Sequence, residues 1–499
     1  MNRRRAALCI LVAFLPWACD RAELPGDPNV LLVTLDTTRA DRLGAMGDET
    51  ARTPVLDSLA AAGVLFEQAY ASVPLTLPSH TTILSGIDPN LHGVHDNNRF
   101  LVPESLETIP ERLAARGYDT AAFVAAAVLD SSLGLDRGVH LYDDGVTFSR
   151  NPLQLAVPSR RGGVVTDLAL TWLEQERNRP FFLWVHYYDV HTPRRPPPPF
   201  DELGDPYAGE LAYVDAQLGR LLEGVHGVAG ERETLTVVVG DHGESLGQHG
   251  EITHGLLAYD STLRVPLIVV GPGFPAGTRS GALARTVDVA PTILAAAGEP
   301  VPAASPGKPL QERLGEAGAE EVVGYFESHG PSFGLGWHPI EGVRTSRFKY
   351  TAEPKPVELY EVRADPGEMR NRAEELPETV ARMERLRSEL AEVAPQAAPP
   401  ADLAPELAEQ LAALGYVSQP RHFEAGQRPD PRRVVGAFTL VEQARGFAFA
   451  GRVSDALMAL EILRESHTVG SLAARHLADL YQELHRFDEA IALRRTLLE

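Results

Sequence analysis

Asn29-Val30-Leu31-Leu32-Val33-Thr34-Leu35-Asp36 is a near-continuous apolar run that ends in a carboxylate. Such a run reads as a strand buried on both faces, the usual appearance of a parallel-sheet strand. Asp36 then lies at its C-terminal end, the edge at which open α/β sheets gather ligands. Four more strand-like segments follow at 64–66, 119–124, 181–188 and 234–240, each preceded by helical periodicity, at 55–62, 109–116, 165–176 and 211–222. This alternation predicts a doubly wound, mostly parallel α/β sheet.

Two of the later strands also end in loaded loops. One runs into Asp189-Val190-His191-Thr192-Pro193 and the other into Asp241-His242-Gly243-Glu244-Ser245. A carboxylate and an imidazole together on a rigid strand end suit a divalent cation. Any one of these residues is ordinary in a loop or cap; three acidic strand ends, Asp36, Asp189 and Asp241, point together to a metal site. The Gly- and His-rich loop at 248–255 follows, placed to close over that edge. The reacting centre is expected in the stretch at 72–86, SVPLTLPSHTTILSG, a loop feeding a helix. Pro78 suits a first helical turn, and the hydroxyls of Thr76 and Ser79 fall where unpaired amides favour an anion. Alone, the same stretch is an ordinary helix cap.

A resemblance rests on these residues. NVLLVTLDTTRAD at 29–41, PLTLPSHTTILSG at 74–86, DVHTP at 189–193, GDHGESLGQHG at 240–250, LRVPLIV at 263–269, DVAPTIL at 288–294, and ELY at 358–360 with ADPGE at 364–368 occur in the order found in sulfatases. The chain from about 28 to about 372 thus resembles the sulfatase family of the alkaline-phosphatase superfamily. In that family the nucleophile lies in a C/S-x-P-x-R signature whose Cys or Ser becomes formylglycine. Aligned on Pro78, this chain has Thr76-Leu77-Pro78-Ser79-His80, with Thr76 at the nucleophile and His80 at the arginine position. A threonine cannot give that aldehyde hydrate. It resembles instead the threonine nucleophiles of phosphodiesterase and phosphoethanolamine-transferase branches.

A threonine hydroxyl is a weak nucleophile at neutral pH, so metal coordination is its expected activator. Asp36, Thr76, Asp241 and His242 are the expected ligands. Thr37 stands where one-metal sulfatases carry a further ligand. With His242 this leans toward zinc or manganese, calcium and magnesium being the harder alternatives. The resemblance places His191 at a substrate-contacting histidine and His254 at a lysine that binds the ester oxygen or protonates the leaving group. His80, His191 and His254 are therefore expected to contact substrate, and His191 or His254 to act as general acid. A second metal site built from Asp189, His191 and His254 is the alternative.

Short alternating strands at 322–326, 342–345, 348–351 and 357–360 predict a small antiparallel subdomain, with His329 and His338 in a Gly-rich loop between them. The expected division is a catalytic α/β domain at 28–318, the antiparallel subdomain at 319–375, and a helix with a Pro-rich linker at 376–433. Helical signals dominate 434–499. GRVSDAL at 451–457 matches HRFDEAI at 485–491, and Phe447 matches Tyr481, each offset by 34 residues. That period resembles tetratricopeptide repeats and predicts a C-terminal all-α repeat domain that binds a protein partner or packs on the catalytic domain.

The net charge of −22 argues against a nucleic-acid partner. Residues 1–19 read as an export signal, with Arg3, Arg4 and Arg5 before an apolar run and Cys19 at a lipoprotein-like cleavage site, the candidate lipid anchor. Cys9 and Cys19 are the only cysteines, so no disulfide or thiolate metal site is available downstream. The sum is an exported protein of the bacterial envelope or periplasm, a metal-dependent hydrolase cleaving a phosphate or sulfate ester, phosphoester preferred, on a small or polymer-linked substrate. A phosphoryl-group transferase of the same fold, and a non-catalytic scaffold acting through its helical repeats, are the alternatives.

Overall fold

The computed structural model describes residues 27–146, 159–175, 178–230, 232–315, 322–391, 398–404, 407 and 428–498. Residues 1–19, read as an export signal with Cys19, lie outside them, as do residues 392–397, 405–406 and 408–427 of the expected linker. Among the described residues no helix is long and apolar enough to cross a membrane.

The 29–36 run forms β1 (Asn29–Leu35), with every residue buried. It lies inside an eight-stranded sheet with β2 (Val64–Tyr70), β3 (Asp119–Phe123), β4 (Leu141–Asp143), β5 (Phe181–Tyr187), β6 (Thr234–Gly240), β7 (Leu267–Val270) and β8 (Thr278–Arg285). The order is β4-β3-β5-β1-β6-β7-β2-β8. β1 pairs in parallel with both β5 and β6, whereas β7 runs antiparallel to β6 and β2. The chain leaves β1 for β2 on one side and later for β3 and β5 on the other. That reversal opens a crevice at the C-terminal ends of β5, β1 and β6. Five of the seven strand pairings are parallel, so the sheet is mostly parallel as expected.

The expected helices form at Pro54–Ala62, Ile109–Arg116, Gly162–Leu173 and Pro206–Ala229. The last starts earlier than its apolar periodicity because the Asp205 side chain accepts from the Tyr207 amide and Pro206 occupies the first turn. β9 (Gly324–Ser328), β10 (Ile340–Arg344), β11 (Phe348–Glu353) and β12 (Glu358–Glu361) form the expected antiparallel sheet. Its junction with the large sheet contains a buried charge network: Asp260 pairs with Arg344 at 2.8 Å and Lys349 at 3.0 Å, and Lys349 with Glu368 at 2.8 Å.

Four helices follow, Pro431–Phe449, Val453–Leu463, Gly470–Glu483 and Phe487–Leu498. The turns between the members of each pair recur 34 residues apart. Gly451 and His485 both have positive φ. The Arg452 and Arg486 amides donate to Phe447 and Tyr481 carbonyls at 2.8 Å, and each guanidinium lies over the ring of that same residue. These helices share one apolar core with Leu256, Leu257, Tyr259, Trp337 and Tyr360 of the preceding domains. Trp337 is fully buried there and donates from Nε1 to the Thr468 carbonyl at 3.2 Å. Thr439 donates from its hydroxyl to the Gly250 carbonyl at 2.6 Å.

Candidate active site

Three strand ends and one helix start meet in the crevice. Asp36 follows β1, its amide donating to the Tyr187 carbonyl of β5 at 2.9 Å. Thr37 then turns through a left-handed φ of 50°, uncommon for a β-branched residue. The turn aims its amide at Asp241 Oδ1, 3.3 Å away, while its carbonyl accepts from the Tyr207 hydroxyl at 2.8 Å. The His242 amide also donates to Asp241 Oδ1, at 2.7 Å.

Thr76 opens the helix Thr76–Ser85, all of whose residues are buried. No side chain of the flanking residue caps it; the Leu77 amide donates instead to Asn97 Oδ1 at 2.8 Å. The capping reading of this stretch therefore falls, and the Thr76 hydroxyl is left for the crevice. Its Oγ1 stands 3.4 Å from Asp36 Oδ2 and 3.4 Å from His242 Nε2. The Ser79 hydroxyl is spent on the Asp241 carbonyl at 2.6 Å.

The protonation pattern shows what this cluster is suited to hold. His242 Nδ1 faces the Gly243 carbonyl at 3.0 Å, and a carbonyl only accepts, so the proton sits on Nδ1 and Nε2 presents a lone pair. Nε2 is 3.5 Å from Asp241 Oδ2. Asp36 Oδ1 and Asp241 Oδ2 are buried without any hydrogen-bond partner. Burial, reinforced by Glu244, pushes the Asp36 carboxyl up to about 8 against the opposing pull of His254. Burial and the charge of Asp36 raise Asp241 well above the usual range. Two buried carboxylates with bare oxygens beside an imidazole lone pair are costly without a cation among them and suited to one. The donor set of Asp36, Asp241, His242 and the Thr76 hydroxyl thus fits a divalent metal ion.

Above this set lie two further imidazoles. The ring of His254 is 4.5 Å from that of His242 and 5.0 Å from that of His191. His254 Nδ1 bonds Glu244 Oε1 at 3.2 Å, and Glu244 is in turn held by Arg194. His191 donates from Nδ1 to the Thr192 carbonyl and stacks on Tyr188 at 4.4 Å. Burial, then the neighbouring His254, holds the His191 pKa well below its usual value, so that ring is neutral. His249, the other histidine of the loop, stacks instead on Tyr259 at 3.6 Å and faces the Gly367 carbonyl.

Two expected participants lie elsewhere. Asp189 turns away from Thr76: its carboxylate accepts from the Gly162 amide at 2.9 Å and pairs with Arg161 at 3.1 Å, fixing the start of the Gly162–Leu173 helix. The second metal site of Asp189, His191 and His254 is therefore not assembled. His80 is a fully buried residue of the same helix, with Nδ1 on the Thr76 carbonyl at 2.8 Å and Nε2 on the Thr34 hydroxyl at 3.0 Å. Both ring nitrogens are used, so it supports the Thr76 backbone rather than facing the crevice. Sequence reasoning missed Asn97, Glu244 and His186, whose Nε2 is 3.3 Å from Asp36 Oδ2. The signal for His186 was an ionisable residue inside an otherwise apolar buried strand. His329, from the Gly-rich loop, stacks at 4.9 Å on His95 over the buried Glu327.

Among known proteins, the family model described as Sulfatase matches residues 28–299. A second, described as N-sulphoglucosamine sulphohydrolase, C-terminal, matches residues 247–396. The chain is 24% identical over 424 residues to a Delta 4,5-hexuronate-2-O-sulfatase of Bacteroides thetaiotaomicron, covering 71% of this chain and 86% of that protein. It is 27% identical over 427 residues to human Arylsulfatase A, covering 69% and 83%. Among solved structures, a 2-O GAG sulfatase superposes with a TM-score of 0.62 at 22% identity, over 76% of this chain and 96% of the other. The phosphonate monoester hydrolase of Agrobacterium radiobacter does so with a TM-score of 0.61 at 21% identity, over 73% and 95%.

Proposed function

The chain belongs to the sulfatase family of ester hydrolases, and from that premise we propose that it cleaves a phosphate or sulfate ester, phosphoester preferred, with Thr76 as the nucleophile. The observation that carries the reading is the Thr76 hydroxyl, 3.4 Å from both Asp36 Oδ2 and His242 Nε2 at the floor of the crevice. A zinc or manganese ion held by Asp36, Asp241 and His242 would supply positive charge opposite the developing negative charge and make the hydroxyl more acidic. Thr76 Oγ1 attacks the central phosphorus or sulfur as its proton passes to Asp36 Oδ2, its hydrogen-bond acceptor, and the bond to the alcohol oxygen breaks. His254, oriented through Nδ1 by Glu244, gives a proton to the departing oxygen from Nε2. His191, neutral and beside it, donates no charge but shapes the pocket through its ring. Water then attacks the ester on Thr76 and passes a proton back to His254, while Thr76 leaves as its oxygen regains the proton held by Asp36, and the acid is released.

The threonine is the reason for preferring phosphorus, since it has no route to the aldehyde hydrate of formylglycine. Relatives and neighbours are described as acting on both classes, the hexuronate sulfatase on one and the phosphonate monoester hydrolase on the other. Several are sulfatases of sugars or polysaccharides, which supports a polymer-linked ester as substrate. We extend the reading to export through residues 1–19 with a lipid anchor at Cys19, and to tetratricopeptide-like repeats at 434–499.

The test is metal content by elemental analysis, with turnover of aryl phosphate diester, aryl phosphate monoester and aryl sulfate by wild type and Thr76→Ala. Bound divalent metal and phosphoester turnover that depends on Thr76 are expected. Absence of metal and of Thr76-dependent turnover of every ester would refute the enzyme reading, and faster sulfate than phosphate turnover would refute the preference.

A further inference from the structure

His186 takes no part in the chemistry above, yet it is fully buried on β5 directly against the site. The parallel register sets it beside Thr34 of β1, two residues before Asp36. Its tautomer is fixed by its neighbours. The Ala125 amide donates to Nδ1 at 3.2 Å. An amide cannot accept, so Nδ1 carries the lone pair and the proton is on Nε2. With a lone pair on one ring nitrogen, the ring is neutral. The Nε2–H therefore points at Asp36 Oδ2, 3.3 Å away. The same oxygen faces the Thr76 hydroxyl, while Oδ1 has no partner.

A rival reading of the same residues is a second cation among His80, His186 and Asp241, whose ligand atoms come within 4.8 Å of one another. The proton inventory argues against it. His80 Nδ1 carries the proton it donates to the Thr76 carbonyl. Its Nε2 accepts from the Thr34 hydroxyl, whose oxygen in turn accepts from Trp184 Nε1 at 3.0 Å. His186 spends its only lone pair on the Ala125 amide. Neither ring has a lone pair to offer a metal.

We propose that His186 is a positioning residue for the metal centre: a neutral imidazole, locked in one tautomer by the Ala125 amide, that donates to Asp36 and fixes which face of its carboxylate meets the cation. The proposal rests on the reading of Asp36, Asp241 and His242 as metal ligands. Groups that orient a ligand in this way change metal affinity by about 10- to 100-fold when lost.

The experiment measures zinc affinity of the full chain by competition with a chromophoric chelator, for wild type, His186→Gln, His186→Asn and Asp241→Asn. A glutamine amide reaches the position of Nε2 and restores the donor to Asp36, whereas an asparagine amide reaches only the position of Nδ1. The asparagine oxygen keeps an acceptor for the Ala125 amide and the glutamine gives that acceptor up, so the two variants separate the donor to Asp36 from the contact with Ala125. His186→Asn is expected to raise the zinc dissociation constant by about 10- to 100-fold and His186→Gln to stay within a few-fold of wild type. Wild-type affinity in His186→Asn, or equal losses in the two variants, would overturn the positioning role. Asp241→Asn separates the two levels: it abolishes stoichiometric zinc if the ligand assignment holds, and zinc binding that survives it would refute that assignment whatever the His186 variants do.

Discussion

At Thr76 an alcohol of ordinary reactivity is held by geometry in contact with a buried carboxylate and an imidazole lone pair. Removing only its methyl group leaves that geometry, so Thr76→Ser is expected to keep turnover within about tenfold, while Thr76→Ala lowers kcat by at least about 10³-fold. Both variants are expected to bind the metal as wild type does, because the proposed ligands Asp36, Asp241 and His242 remain. Glu327 allows a second test. Burial would raise its carboxyl, but His329, His95 and the Tyr325 hydroxyl outweigh burial and hold it down from 4.5 to about 2. A depressed carboxyl stabilises the fold above its unfolded value and loses that contribution as pH falls. Glu327→Gln is thus expected to cost about 3 kcal/mol at about pH 5, with the difference from wild type shrinking toward pH 2 in urea titrations. At this scale the sequence was partly legible. Asp36, Asp241 and His242 could be read because each follows a buried apolar strand. His186 and Asn97 could not, since their roles depend on partners far along the chain, Asp36 and Leu77.

Among the elements, the helix Thr76–Ser85 is unusual in starting inside the protein, with its Leu77 amide satisfied by Asn97 rather than by a local cap. Asn97→Ala leaves a buried amide unpaired at the turn that carries the nucleophile. The expected cost is about 1–2 kcal/mol in chemical denaturation, with kcat falling more than KM changes. Buried strands and amphipathic helices were readable from their periods, and β1 and β6 have nearly the bounds their apolar runs dictate. β7 and β8 were not. Leu267–Val270 has strand composition but is only four residues long, and Thr278–Arg285 mixes Gly, Ala and Arg, so the second is a strand through its pairing with β2 rather than its own composition.

On the scale of the whole molecule, the C-terminal helices are built onto the loop that carries His254. Their apolar core includes Leu256 and Leu257, and Thr439 bonds Gly250 at the other end of that loop. The 34-residue period could be read from the sequence, but the surface it packs against could not, because Trp337 and Tyr360 look like ordinary aromatic residues of a small sheet. Trp337→Ala empties the centre of this junction and is expected to cost about 3–5 kcal/mol, measured by circular dichroism in urea, with metal stoichiometry unchanged. The central claim is that the intact chain passes through an ester on Thr76. The most direct measurement is acid quenching during turnover of an aryl phosphate diester, followed by peptide mass spectrometry. A phosphoryl modification still carrying the second ester group of the substrate is expected on the peptide containing Thr76, present during turnover and gone once substrate is consumed. Turnover with that peptide never modified, or equal turnover by Thr76→Ala, would contradict it.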